Sequence, residues 1–293
     1  MEKFTFPSNI EDIVRAVLFI FALSAGFILF LIVVFIFREG LPLFSRIGII
    51  EFLTGTEWNT IDDVYGALPF ITGTILITIG ALIIAVPLGI SCALFLAEIA
   101  PGWAKKITRP AIELLAGIPS VVYGLFALIV IVNFIQITFD KPTGETILSG
   151  SIILAIMILP IIISISQDSI ESVPRAFKEG SYALGSTDWQ TIKNIILPTA
   201  MPGILAGIIL AMGRAIGETM AVVLVIGNVV KLPSFLEPGI VLKSVILLEM
   251  GEAVIGSLHY NALFCLAIIL FIIVFILSIL SNYILSKSKI QIR

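Results

Sequence analysis

Two opposite charges stand inside a long apolar stretch of the chain. Arg214 and Glu218 lie in the segment Gly-Arg-Ala-Ile-Gly-Glu-Thr-Met at 213–220. An ionised side chain at the centre of a membrane costs about 2.5–3.5 kcal/mol even on lenient scales, so the pair needs a reason. Guanidinium is a planar fork of donors suited to an oxyanion. Glu218 has helical spacing to hold that fork, and it could also accept a hydrogen bond from the hydroxyl of a hydrogen phosphate. The spacing favours an anion path through Arg214, Glu218 and Thr219; a self-neutralising salt bridge is the alternative.

A second informative segment runs from Ser172 to Pro198. It predicts two short helices joined by a tight turn, because Gly185 is typical of a helix stop and Thr187 with Gln190 has capping-box spacing. Pro198 is expected to end or bend the chain as it enters the next apolar stretch. A compact hairpin with small and apolar residues is typical of a docking element for a partner protein, and packing on its own bundle is the alternative.

This hairpin resembles the coupling loop of ABC importer permeases, whose motif reads E-A-A-x3-G-x9-I-x-L-P. Gly180 and Ser181 replace the two alanines and are also small. In that family the loop fits a groove on an ATP-hydrolysing subunit, and the chain has no G-x-x-x-x-G-K-[ST] phosphate loop of its own. The resemblance implies a transport subunit that is not an enzyme and needs no cofactor. The residues that carry it are Glu179, Gly180, Ser181, Gly185, Ile195, Leu197 and Pro198.

The elements that must position these residues follow from composition. Of 293 residues 59% are hydrophobic and 13% are charged, whereas a soluble domain carries about 25% charged residues. This excludes a soluble enzyme or a nucleic-acid-binding module and predicts an all-α polytopic membrane protein. The single histidine excludes a His-rich metal site, and no metal site is expected. Six spans are predicted at 16–37, 67–97, 114–139, 146–167, 195–230 and 260–286.

An even number of spans places both termini on one side of the membrane. Most Lys and Arg residues, including Lys3 and Arg293, fall on the side of the N-terminus, and such a bias predicts that this side is cytoplasmic. The apolar patch from Ile240 to Leu248 is too short to span and predicts an interfacial or re-entrant helix at the outer mouth. A simple cap on the bundle is the favoured interpretation of the two.

Glycines and a proline near the charged pair predict close helix packing. Small residues four apart let helix backbones approach, and a second permease subunit is the expected neighbour, with packing inside one subunit as the alternative. The third span is expected to bend and to admit a neighbour. The predicted packing residues are Gly203, Gly207, Gly213, Gly217, Gly117 and Pro119.

The segment 213–222 resembles the signature of phosphate-specific permeases of the PstC type, and so do 112–124 and 66–70. This resemblance implies a type I ABC importer fold of the MetI-like kind, in the cytoplasmic membrane of a prokaryote. It further implies a PstA-type second permease, two ATP-binding subunits and an extracytoplasmic phosphate-binding protein. The expected organisation is a first span and outer segment over 1–66, then a permease core over 67–293 with its coupling loop near 169–198.

Two other functions fit part of the pattern. A permease of the same superfamily for molybdate or sulfate would share the hairpin, although Glu218 favours an anion that carries a proton. A secondary transporter or channel driven by an ion gradient would need neither an ATPase partner nor a docking hairpin. A membrane scaffold without transport would leave Arg214 unexplained.

Overall fold

The six predicted spans are present as helices. The computed structural model describes the backbone of residues 8–290 and the side chains of residues 12–280 and Tyr283; Lys3 and Arg293, which contribute to the predicted orientation, lie outside the described residues. Within the described part, six helical segments are long and apolar enough to cross a membrane. They are Asp12–Ser45, Leu68–Ile99, Ser120–Thr138, Ile147–Glu171, Asp188–Gly217 and Leu258–Leu280.

The described elements are almost all helical. The strands are β1 Trp58–Asn59 and β2 Val64–Tyr65, which pair antiparallel. The helices are α1 Ser8–Gly40, α2 Ile49–Thr54, α3 Leu68–Leu94, α4 Gly102–Gly117, α5 Ser120–Ala127, α6 Asn133–Thr138, α7 Ile147–Glu171, α8 Arg175–Ala183, α9 Asp188–Thr191, α10 Leu197–Gly217, α11 Met220–Val223, α12 Leu242–Glu249 and α13 Leu258–Ile290.

Helix α7 is the centre of the bundle. Its side chains Ile153, Ile158 and Ile162 are fully buried, and α3 runs parallel to it, with Gly80 against Ser151 at their closest approach. A Cβ on this glycine would collide with the serine hydroxyl. The absence of a side chain therefore allows the two backbones to approach, as small residues do in membrane helix pairs.

Helix α10 packs antiparallel on α7 through two of the predicted packing glycines. Gly203 lies against Ser169, and Gly207 lies against Ile165. The expectation that these glycines contact a second permease subunit is wrong, because the neighbour is a helix of the same chain. A Cβ at position 203 would meet the serine hydroxyl well inside van der Waals distance.

The third span begins later than predicted. Helix α4 ends at Gly117, and α5 starts only at Ser120. Pro119 disfavours helical geometry at the residue before it, and Ile118 is accordingly extended, with ψ 131°. The span is therefore 120–138, and Leu114 belongs to the separate helix α4 rather than to the membrane crossing.

The second helix of the predicted hairpin is not a separate short helix. Helical structure runs without interruption from Asp188 to Gly217, and a π-helical stretch, Ile192–Ile196, joins α9 to α10. Pro198 does not end the helix, since it follows directly on the π-helical stretch, where the regular hydrogen-bond pattern is already changed, and helical structure continues through it to Gly217. The hairpin and the fifth span are thus one continuous rod.

The end of the bundle opposite the α8–α9 hairpin is held by a polar cluster under aromatic rings. Trp58 Nε1 donates to Glu249 Oε2 at 2.9 Å, and His259 Nε2 lies 2.8 Å from the same oxygen. Trp58 also meets Tyr65 and Phe70 edge-on, each at a centroid distance of 5.0 Å. One carboxylate therefore connects the β1–β2 ribbon, the end of α12 and the start of α13.

We predict that Trp58→Phe lowers the midpoint temperature of unfolding. Phenylalanine keeps the ring packing but removes the bond to Glu249, and a hydrogen bond to a charged group contributes about 1.5–3 kcal/mol. Unfolding in detergent is followed with a thiol-reactive dye, because Cys265 is fully buried. Trp103→Phe is the matched control, since Trp103 is 69% exposed on α4. Equal shifts in both variants would contradict the prediction.

Candidate functional site

The fifth span breaks at the predicted charged motif. Helix α10 ends at Gly217, and Glu218 is extended, with φ −75° and ψ 133°. Glu218 Oε1 accepts the backbone N–H of Thr219 at 3.2 Å and of Ala221 at 3.4 Å, which gives the short helix α11 a negative group at its N-terminus. The expectation that Arg214 and Glu218 share one helical face is wrong, because the helix stops between them.

Arg214 is left without an acidic partner. In the described part of the chain no carboxylate oxygen lies within 4.0 Å of its guanidinium. The residue is exposed in the single chain and lines a cavity of about 650 Å³ between α10, α7 and α13, together with Ile161 and Val274. The self-neutralising salt bridge is therefore absent from this arrangement of the described residues.

Arg214 lies at mid-height along the bundle. Gly207 contacts Ile165 of α7, and Arg214 is seven residues further along α10, about 10 Å at 1.5 Å per residue. Because α10 is antiparallel to α7, this distance places Arg214 at the level of Ile158, near the middle of the helix Ile147–Glu171. A cation at that depth needs an ionic or polar contact to offset its desolvation.

A third charged side chain contacts the end of α10, where the fifth span breaks. Lys243, at the start of α12, donates from Nζ to the backbone oxygen of Gly217 at 2.6 Å. Its side chain lines a small gap of about 10 Å³ with Glu218, Thr74 and Thr78. The sequence reasoning missed this residue. Lys243 could have been identified by the same feature as Arg214, namely a charged side chain inside an apolar stretch.

The remaining residues of the break are open to the surface. Gly213 and Gly217 have no atom within 4 Å of an added Cβ, and the same is true of Gly117. Thr219 is half-buried beside Glu218, while Pro119 is exposed at the start of α5. These residues form no packed contact of the kind seen for Gly203 and Gly207, so an exposed surface surrounds Arg214.

The α8–α9 hairpin has the predicted turn. Gly185 has φ +82°, its N–H donates to Tyr182 O at 2.9 Å, and Ser186 N–H donates to Ser181 O at 3.2 Å. These two bonds form the Schellman motif that terminates a helix with a left-handed residue. Thr187 and Gln190 form the predicted capping box at the start of α9.

The hairpin presents a groove and several exposed apolar side chains. A depression of about 530 Å³ lies between α8 and the α9–α10 rod, with Gly180 on its wall and nothing within 4 Å of an added Cβ there. Phe177 is 50% and Leu184 is 89% exposed. Glu179 and Pro198 are exposed, and Ile195 and Leu197 are half-buried. Apolar exposure of this kind at the polar end of a membrane bundle marks a protein contact surface.

Ser181 lies at the base of this groove. The side chain is 7% exposed, and its hydroxyl shares a hydrogen bond of 2.9 Å with Thr191 Oγ1. Its small size allows α8 to pack against α9 within the hairpin, and the role of Ser181 in docking stays a prediction.

An ion pair ties the hairpin to a second span. Lys178 Nζ lies 2.6 Å from Glu98 Oε1, with side chains only 21% and 15% exposed. Glu98 belongs to the π-helical stretch Phe95–Ile99, which continues α3. No sequence pattern predicts this pair, since its members are 80 residues apart. Helix α8 thus contacts α3 through this pair and the α9–α10 rod through Ser181.

Comparison with known proteins supports this architecture. Residues 85–290 match the family described as binding-protein-dependent transport system inner membrane component. The chain is 45% identical over 264 residues to the probable ABC transporter permease protein YqgH of Bacillus subtilis (strain 168), covering 88% of this chain and 85% of that protein. It is 39% identical over 257 residues to the phosphate transport system permease protein PstC of Mesorhizobium japonicum, covering 81% of this chain and 78% of the relative.

Solved structures share the fold. A bacterial ABC transporter involved in the import of the acidic polysaccharide alginate superposes with a TM-score of 0.63 at 18% identity, covering 96% of this chain and 99% of that chain. The inward-facing MetNI methionine ABC transporter gives a TM-score of 0.56 at 17% identity, covering 74% of this chain and 93% of the other. Both likenesses concern the arrangement of helices, because identity is this low.

Proposed function

The chain belongs to the binding-protein-dependent transport system inner membrane component family, and from this premise we propose that it is the permease subunit of an ATP-driven importer of inorganic phosphate. The observation that carries the proposal is the guanidinium of Arg214, at mid-height along the bundle, beside a cavity and without a carboxylate partner in the described residues. Its relatives named as phosphate permeases supply the substrate class. A guanidinium in that position binds a tetrahedral oxyanion through two parallel N–H donors.

Glu218 sets which oxyanion fits. One of its oxygens is held by the amides of Thr219 and Ala221, so the other can accept a hydrogen bond from the substrate. Hydrogen phosphate offers an O–H at neutral pH, whereas sulfate and molybdate present only acceptors and would be repelled by the carboxylate. Arg214 provides attraction in this proposal, and Glu218 provides discrimination.

The hairpin provides the attachment for the motor. Two ATP-binding subunits dock on the importer, one of them in the groove between α8 and the α9–α10 rod. A PstA-type permease covers the exposed surface around Gly213 and Gly217, and an extracytoplasmic phosphate-binding protein delivers the substrate at the α12 end. The hairpin and both termini then face the cytoplasm of a prokaryotic cell.

Continuity of the helix explains how force reaches the site. The rod from Asp188 to Gly217 is unbroken, about 45 Å long at 1.5 Å per residue. A displacement of the hairpin by the ATPase therefore moves α10 as a unit, and the break at Glu218 is the point where that motion ends. Access to Arg214 changes without any bending of the helix that carries it.

We predict that the Lys178–Glu98 pair is needed for tight coupling. In Lys178→Glu two carboxylates face each other at a largely buried position, which is strongly unfavourable, so we expect phosphate transported per ATP to fall by about fivefold. The double variant with Glu98→Lys restores the opposite charges and should recover most of that ratio.

Measurement of both uptake and ATP hydrolysis in vesicles gives the coupling ratio. Arg109→Glu is the control, because its pair with Asp168 is exposed and 3.5 Å long, and exposed pairs contribute about 0–1 kcal/mol. An unchanged ratio in Lys178→Glu, or failure of the charge swap to recover it, would contradict the prediction.

Uptake of radiolabelled phosphate by proteoliposomes tests the proposed function. The vesicles contain this chain with its permease partner and ATPase subunits, with the loaded binding protein supplied at the α12 face. Uptake should require both ATP and the binding protein and should resist competition by excess sulfate or molybdate. Uptake of sulfate or molybdate instead would support the rival oxyanion function, and phosphate uptake driven by an ion gradient without ATP would support a secondary transporter.

A further inference from the structure

Lys243 reaches the break in the fifth span from a separate element. The first turn of α12 is fixed against α3, because the N–H of Leu242 donates to Thr74 Oγ1 at 3.0 Å and Gly73 leaves room for the backbone of Ile240. From this anchor the lysine crosses to the Gly217 carbonyl at 2.6 Å. Gly217 is three residues beyond Arg214, so the ammonium lies about one turn further from the hairpin end.

The charge of this ammonium is only partly compensated. Its hydrogen-bond partner is a neutral carbonyl at the C-terminus of α10, where the helix dipole supplies a partial negative charge. Burial lowers the pKa of Lys243, and the nearby Glu218 carboxylate offsets this only in part. Glu218 already accepts two backbone amides, and Gly217 occupies one of the three ammonium N–H groups. Two donors and a residual positive charge therefore remain for an anion.

We propose that Lys243 is a second cation of the anion path, which the substrate meets before it reaches Arg214. The inference rests on the proposed function and adds a specificity-determining residue that no part of the family motif contains. An anion arriving from the α12 end first pairs with Lys243, drawing the ammonium away from the Gly217 carbonyl. It then passes the break and binds the fork of Arg214 one turn below.

The alternative role of Lys243 is purely structural. A lysine that only satisfies the last carbonyl of α10 would act as a helix cap, and any side chain with a suitable donor would replace it. The two roles differ in whether the positive charge at position 243 is required. Glutamine keeps an N–H donor without the charge, methionine keeps the length without either, and arginine keeps both.

Phosphate uptake by the reconstituted importer is measured for the wild-type chain and for Lys243→Gln, Lys243→Met and Lys243→Arg. ATP hydrolysis stimulated by the loaded binding protein is measured in the same vesicles. We expect the glutamine and methionine variants to lose uptake by about tenfold or more, as loss of one charge-assisted contact predicts. Stimulated ATP hydrolysis should change by less than about twofold, since docking of the partners is untouched, and arginine should recover at least half of the uptake. Lys231→Met is the matched control, because this lysine stands in the same inter-span segment in an exposed pair with Glu237.

Different results would overturn the role of Lys243 and the proposed function. Full uptake in Lys243→Gln, with or without loss in Lys243→Met, would overturn the proposal in favour of a cap. Loss in Lys243→Arg equal to that in Lys243→Met would also overturn it, since charge would not be the property that matters. Absence of ATP-dependent phosphate uptake by the wild-type chain would instead reject the proposed function, so the two failures are distinguishable.

Discussion

Replacement of Arg214 by glutamine is expected to reduce phosphate uptake by about 100-fold or more while the importer still assembles. In the proposed complex the second permease encloses the contact between the guanidinium and the anion. Loss of one member of such an enclosed charged contact costs about 2–5 kcal/mol, and each 1.4 kcal/mol is tenfold. Glutamine keeps a polar side chain of similar reach but loses both the charge and the fork. The helix itself should persist, since no other side chain in the described residues forms an ion pair with Arg214.

Two further variants give this prediction its specificity. Arg214→Lys keeps the charge without the planar donors, so we expect partial uptake, well below that of the wild type. Arg46→Gln is the control, because Arg46 is an exposed arginine outside the six spans. Initial rates of radiolabelled phosphate uptake are compared at equal amounts of assembled complex. Normal uptake by Arg214→Gln would remove this residue from the path.

The membrane spans were predictable because one physical rule dominates their formation. Backbone polar groups must be paired inside lipid, so long apolar stretches such as 260–286 become helices regardless of their neighbours. The turn at Gly185 was predictable for a similarly local reason, since a left-handed residue, a capping box and a helix stop are encoded within seven positions. Both features depend on residues that are close together in the sequence.

The arrangement of charges at the site was not predictable in the same way. Helical spacing placed Glu218 beneath Arg214, but the helix stops at Gly217, and Glu218 then binds the amides of α11 instead. A glycine in an apolar stretch permits a helix to continue or to end, and only tertiary contacts decide. One such contact at the break comes from Lys243, which donates to the carbonyl left open at Gly217 from 26 residues away in the sequence.

The burial of each glycine in the fifth span also depends on helix packing, which cannot be deduced from the sequence. The four glycines of the fifth span have the same spacing, yet Gly203 and Gly207 lie against α7, while Gly213 and Gly217 face open space. The contact between α10 and α7 continues past these glycines through Ala211 and Ala215, which are buried in one cluster with Ile158 of α7, so the difference lies in which side of α10 each glycine occupies. The surface around Arg214 is consequently free for the second permease in the proposed complex.

Gly185→Val is expected to separate the chain from its ATPase subunits while the membrane bundle stays folded. A left-handed backbone costs an ordinary residue about 1–2 kcal/mol, and a β-branched residue more. The bonds from Gly185 to Tyr182 and from Ser186 to Ser181 close the turn only in that conformation. Their loss releases Leu184, whose side chain is 89% exposed at the tip, and the proposed docking surface loses its shape. We expect the fraction of ATPase subunits co-purified to fall by at least about tenfold, which corresponds to 1.4 kcal/mol.

Matched glycines distinguish loss of docking from general strain. Gly256 also has φ +82° and open space around it, but it precedes α13 at the opposite end of the bundle. Gly256→Val therefore introduces comparable backbone strain and should leave ATPase association intact. Gly185→Asn should also retain it, because asparagine tolerates the left-handed conformation. Equal loss of the ATPase in both valine variants would attribute the effect to destabilisation, whereas retention in Gly185→Val would show that the hairpin turn is not the attachment point. Selective loss of the ATPase subunits in Gly185→Val would indicate that they bind the hairpin at this turn. A displacement of the turn would then be transmitted along the helix from Asp188 to Gly217 toward Arg214.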